Sequence, residues 1–171
     1  VAVGRTALLA LTTGPRNTGL GTGALCDITT TQDNTAIGYN VARDSTANYT
    51  TAVGSEAVFR TTGDANTGVG YRTLFQNTSG GSNTSVGYYS LLDNTTGSNN
   101  VAVGSYSLRD NTGSDNVAVG QGSALLTTGG CNVSVGSNSL KCNVGGTSNV
   151  AVGFESLKAN TTGCFNVAMG V

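Results

Sequence analysis

At 171 residues, with 37% apolar side chains drawn mostly from Ala and Val, four Phe, one Pro and no Trp, the chain has the material for only a thin core. Charged residues make up 10%, against roughly 25% in ordinary soluble domains. A net charge of −1 without a basic cluster excludes an electrostatic footprint for nucleic acid or for an anionic membrane, and the longest apolar run, Ala7 to Leu11, is far short of the ~18 residues that span a bilayer.

Glycine recurs at Gly4, Gly21, Gly38, Gly54, Gly70, Gly87, Gly104, Gly120, Gly136, Gly153 and Gly170, each closing a short apolar tripeptide. Intervals of 16 and 17 residues make ten copies of one unit, the mark of a solenoid rather than a globular core. Residues 1–171 therefore read as a single array with no internal domain boundary, a window of a longer protein.

In chain order the predicted strands are the tripeptides beginning at Thr18, Thr35, Thr51, Thr67 and Thr84, then at Val101, Val117, Val133, Val150 and Val167. Each runs β-branched, small, aliphatic, the period-2 alternation of a strand. The expectation is that the first and third side chains point into the coil and the middle one points out. The middle row, including Ala36, Ala52, Gly68, Ser85, Ala102, Ala118, Ser134 and Ala151, contains no large side chain. It is then either a subunit-interface strip, where backbones approach closely, or a bare solvent face.

Just before each strand stands Asn, as at Asn83, Asn100, Asn116, Asn132 and Asn149, broken only by Thr50. Stacked coils would join these amides into a ladder. Four residues after each glycine a second apolar row, among it Leu8, Leu25, Leu74, Leu91, Leu108 and Leu140, supplies the rest of the core. Turn-forming stretches such as Thr95-Thr96-Gly97 follow, and the extra residue of the 17-residue units falls in them, where it does not flip the strand. Interval lengths repeat after 66 residues, four units, so a turn of solenoid holds either one unit or two; one is the working expectation.

Segments such as Asn34-Thr-Ala-Ile-Gly-Tyr, Asn100-Val-Ala-Val-Gly-Ser and Asn132-Val-Ser-Val-Gly-Ser resemble the head repeats of trimeric autotransporter adhesins of the YadA type, and more closely the Asn-Thr-Ala-Ile-Gly repeats of phage and virus fibres. The resemblance spans essentially the whole chain. It implies a parallel β-solenoid (β-roll or β-helix) forming a homotrimeric rod, exposed on a cell or virion surface and engaged in attachment. Two departures stand out: the adhesin unit is shorter and separates its Asn from the β-branched position, so collagen binding does not carry over.

The chain has no His, hence neither the commonest general base nor the commonest metal ligand. No catalytic constellation, cofactor site or metal site is expected. Asp27, Asp44, Asp93 and Asp110 share a register but read as a solvated rim, and Gly19-Leu-Gly21-Thr-Gly23 lacks the Lys and helix of a phosphate loop. Cys131 and Cys164, 33 residues apart, are within disulfide reach if a turn holds two units and too far apart if it holds one. Sequons at Asn94 and Asn160 fall in turns and are the candidate glycosylation sites. Tyr39, Tyr71, Tyr88 and Phe154, each directly after a repeat glycine, are either adhesive aromatics that stack on sugars or rings that cover gaps.

The functional expectation is a non-catalytic structural fibre or adhesin head, extracellular or on a virion, whose partner is itself, with a host-surface protein or glycan as target. A self-assembling filament made by stacking or bundling of solenoids is the alternative. Ice binding by the Thr row is a minor one.

Overall fold

The computed structural model describes residues 1–171 and contains no helix. Eleven short strands, Ala2–Val3, Thr18–Leu20, Thr35–Ile37, Thr51–Val53, Thr67–Val69, Thr84–Val86, Val101–Val103, Val117–Val119, Val133–Val135, Val150–Val152 and Val167–Met169, pair in chain order as one parallel sheet. Each strand pairs with the next at an offset of one repeat, as in Val101↔Val117 and Val133↔Val150. A turn of the β-solenoid is thus one unit, and ten turns at about 4.8 Å each stack to roughly 48 Å.

Stacking extends around the whole coil outline. Of 96 backbone hydrogen bonds, 76 lie outside the strand ladders, most of them joining a residue of one coil to the neighbouring coil. A second, two-stranded parallel ladder, Asp110–Asn111 with Leu126–Thr127, forms on another side. Because strand register holds through units of both lengths, the extra residue is accommodated before the Asn row, as the turn chemistry anticipates.

The repeat glycines close the coil through a conformation closed to L side chains. Gly104 has φ 132° and Gly120 φ 130°, and a Cβ on Gly104 would lie 2.5 Å from the Gly120 carbonyl oxygen. Non-glycine residues also take left-handed backbone at fixed points, notably the Leu row, with Leu91 at φ 49° and Leu108 at φ 47°. Such a residue costs on the order of 1–2 kcal/mol. Hydrogen bonding to the next coil offsets this: the amides of Leu91 and Leu108 donate to the carbonyls of Ser107 and Ser123 at 3.0 Å, and their side chains are fully buried.

The structure reverses the expected strand faces. The small row points inward: Ala36, Ala52, Ser85, Ala102, Ala118, Ser134 and Ala151 are wholly buried, and Gly68 lies with them. It is therefore the inner wall of each coil and not a subunit-interface strip. The β-branched and aliphatic positions on either side of it face out, with Leu20, Ile37, Val69, Val86, Val103 and Val119 keeping 36–44% of their surface exposed. Room explains the reversal. In a 16- or 17-residue coil the inner side of the strand lies directly against the side chains opposite. A Cβ added at Gly68 would come within 2.6 Å of Val58 Cγ2 and 2.8 Å of Thr73 Oγ1. One small side chain per strand fits there, while two β-branched ones would overpack the interior.

Candidate functional site

The Asn row forms the expected ladder, buried along the coil. The backbone N–H of Asn100 donates to Asn83 Oδ1 at 2.9 Å, that of Asn116 to Asn100 Oδ1 at 3.0 Å, that of Asn132 to Asn116 Oδ1 at 3.0 Å and that of Asn149 to Asn132 Oδ1 at 3.0 Å. Each Nδ2 donates onward to a turn carbonyl of the following coil, as Asn100 to Gly113 at 3.0 Å and Asn149 to Gly163 at 2.8 Å. At Thr50 the ladder breaks: Thr50 Oγ1 is buried without a partner, and the Asn66 N–H has no acceptor.

A second amide ladder runs seven residues after the repeat glycines. Asn94 Nδ2 donates to Asn77 Oδ1 at 2.8 Å, Asn111 Nδ2 to Asn94 Oδ1 at 2.9 Å and Asn160 Nδ2 to Asn143 Oδ1 at 2.6 Å. Its signal, the same residue type at one register, is present in the sequence but masked by Ser45, Thr61 and Thr127 in that row. It also corrects the glycosylation candidates. Asn94 is wholly buried, with its Nδ2 also bonded to the Gly97 carbonyl at 2.8 Å, and Asn160 is half-buried and bonded in the same way to Gly163 at 3.0 Å. Neither amide nitrogen is presented to a transferase. A serine column completes the polar lining, Ser107 and Ser139 donating to the carbonyls of Ala118 and Ala151 at 3.0 Å. A thin core is thus held together by amides and hydroxyls in place of bulk apolar volume.

Cys131 and Cys164 do not meet. With one unit per turn they lie two coils apart, about 9.6 Å along the stack and beyond disulfide reach. Both are exposed free thiols, as expected for the one-unit coil. Hydrogen bonds from the hydroxyl and amide of Thr147, both at 3.3 Å, hold the Cys164 thiol below the usual thiol range. The carboxylates of the Asp register form exposed ion pairs, Arg43 with Asp27 at 3.2 Å and Arg60 with Asp44 at 3.3 Å. Exposed pairs of this kind contribute little to stability.

Two exposed surfaces stand out. The first is the outer face of the eleven-stranded sheet, two in-register columns: Thr then Val at the first strand position, Leu, Ile and Val at the third. The second is a tyrosine cluster on the adjoining side. Tyr71 and Tyr88 stack at 5.6 Å, Tyr89 contacts both at 5.4 and 4.2 Å, and Tyr106 closes the group at 5.5 Å from Tyr88. Tyr39 and Phe154 are exposed but stand apart from it. Of the four predicted aromatics the coil brings together two, and it recruits Tyr89 and Tyr106 from the neighbouring register. The neighbouring Tyr89 hydroxyl, with desolvation, pushes the Tyr88 hydroxyl up to about 12. No protein-family model, curated protein or solved structure matches the chain. The physical surfaces carry the functional reading.

Proposed function

We propose that the chain is a segment of a non-catalytic attachment rod, extracellular or on a virion surface, that associates with copies of itself as a homotrimer through the outer face of its sheet. The supporting observation is the pair of exposed aliphatic and Thr/Val columns aligned strand by strand. About twenty side chains with roughly a third of their surface showing amount to on the order of 1,000 Å² per protomer, which a trimer divides into about 500 Å² toward each of two neighbours, against the ~800 Å² that a partner contributes to a standard two-body interface. A free solenoid rarely leaves so continuous an apolar face bare. A second copy also repeats at the same ~4.8 Å spacing, so its rows stay in step along the whole rod. Trimer geometry comes from the resemblance to adhesin heads and fibres.

Light scattering tests this reading. A particle of three 17.0 kDa chains is expected, and Val103→Glu with Val119→Glu should yield a folded monomer. A wild-type monomer across a wide concentration range would sink the proposal, while growing fibres in electron micrographs would favour the filament. The outward Thr column from Thr18 to Thr84 supports ice binding as a second reading, since these hydroxyl-bearing side chains stand in register on one face of the sheet. Thermal hysteresis measures it directly.

A further inference from the structure

We propose that a notch on the side face of the seventh to ninth coils binds one acidic saccharide ring, a hexose carrying a carboxylate. The residues two after each repeat glycine line up as a ridge on this side. Tyr89, Tyr106 and Asn138 belong to it, and Gly122 interrupts it between Tyr106 and Asn138. The absent side chain opens a cleft of about 240 Å³. Gly122 and Leu125 lie on its middle coil, Tyr106 on the coil before and Asn138 on the coil after. Arg109, Gln121 and Lys141 complete the lining.

Three properties point to this ligand class. The volume is below the roughly 300–1,000 Å³ of clefts that take drug-sized molecules, so the occupant is a single ring. Its aromatic wall is fixed in advance: Tyr106 is braced from behind by Tyr88 at 5.5 Å and by Tyr89 at 5.7 Å, which lowers the ordering cost of binding. A flat ring of this kind takes the C–H face of a pyranose, while Gln121, whose Oε1 accepts from Ser137 Oγ at 3.2 Å, and Asn138 line the same cleft with amide groups of the kind that pair with hydroxyls.

Charge selects the acid. Arg109 is held by Asp110 in a two-point contact at 2.9 and 2.6 Å, and on the tenth coil, just past the notch, Lys158 is held by Glu155 at 2.6 Å. Lys141 has no carboxylate partner. It is the free cation of the cleft, and a ligand carboxylate completes it. The notch begins within two residues of the strand ends, on the side adjoining the outer face of the sheet. The proposal supplies the target class of the attachment reading and rests on it, but a binding measurement on the chain fails or succeeds independently of oligomeric state.

Calorimetric titration of the full chain with methyl glucuronide and methyl galacturonide, against the corresponding neutral glycosides, tests it. Binding of at least one acid is expected, at least tenfold tighter than its neutral counterpart. Lys141→Ala should abolish that tenfold preference. Gly122→Asn should remove binding altogether with the circular dichroism unchanged, because Asn already occupies the same left-handed register at Asn40 and Asn138, and the added Cβ meets only the movable Asn138 Oδ1, at 2.8 Å. Should Gly122→Asn fail to fold, Tyr106→Ala takes its place with the same expected loss. Equal binding of acid and neutral sugar, no binding of either acid, or unchanged binding in the notch variant would overturn the proposal. So would competition by inorganic phosphate or a Glu-rich peptide as strong as that of the uronides.

Discussion

Replacing Thr50 by Asn should stabilise the protein, because Thr50 is the one gap in the main amide ladder. Thr50 is 1% exposed, its Oγ1 has no partner, and the Asn66 N–H one coil on has no acceptor. At the intact rung of the same 16-residue spacing, Asn100 Oδ1 accepts from Asn116 N–H at 3.0 Å and Asn100 Nδ2 donates to both Asn83 Oδ1 and Gly113 O at 3.0 Å. Thr50→Asn places the same atoms opposite Asn66, Asn34 and Gly63, with little change in volume. Two or three net hydrogen bonds at about 1 kcal/mol each, together with relief of one orphaned amide, amount to roughly 2–3 kcal/mol. For a chain of this length that raises Tm by about 5–10 °C. Amide exchange at Asn66 is the sharper assay, and a slowing of about 30-fold or more is expected at 25 °C for a gain of 2 kcal/mol. The reciprocal Asn100→Thr should lose a similar amount and accelerate exchange at Asn116. Unchanged exchange at Asn66 alongside an unchanged or lowered Tm would refute the view that the ladder contributes net stability.

Ala118→Leu should destabilise by about 3 kcal/mol or more in urea titration, since it overpacks a closed interior; on an outward strip the same change would alter only association. Gly104→Ala should be at least as damaging, combining a φ of 132° with a 2.5 Å clash against the next coil's carbonyl, and thermal unfolding reads it. Mild oxidation should leave Cys131 and Cys164 unlinked within one chain, which mass mapping checks, whereas alkylation should reach both well before buried Cys26.

The unit boundaries, the strands and the main Asn ladder were legible because each is a residue type returning at one register, and a parallel stack converts register into contact. The second amide ladder carried the same kind of signal but was diluted by Ser45, Thr61 and Thr127, which fill the same space with shorter polar side chains. The tyrosine cluster was half legible. Tyr71 and Tyr88 share a register, while Tyr89 and Tyr106 occupy the next one and join only because the coil turns left-handed there and carries both columns onto one side.

By itself, the sequence determined that the chain is a stack of ten equivalent units, because glycine and Asn return at fixed intervals beside a short strand; it left open whether a turn holds one unit or two, which the strand pairing decides as one. Period-2 alternation states that two strand faces differ but is silent on which of them is inside. The tertiary structure decided that, through the width of a 16- or 17-residue coil. Only Ala, Gly or Ser fits between the strand and the Leu row, so the larger Val, Ile, Leu and Thr side chains are turned outward. The notch at Gly122 follows the same logic, since a missing side chain becomes a cleft only when the coils above and below supply its walls.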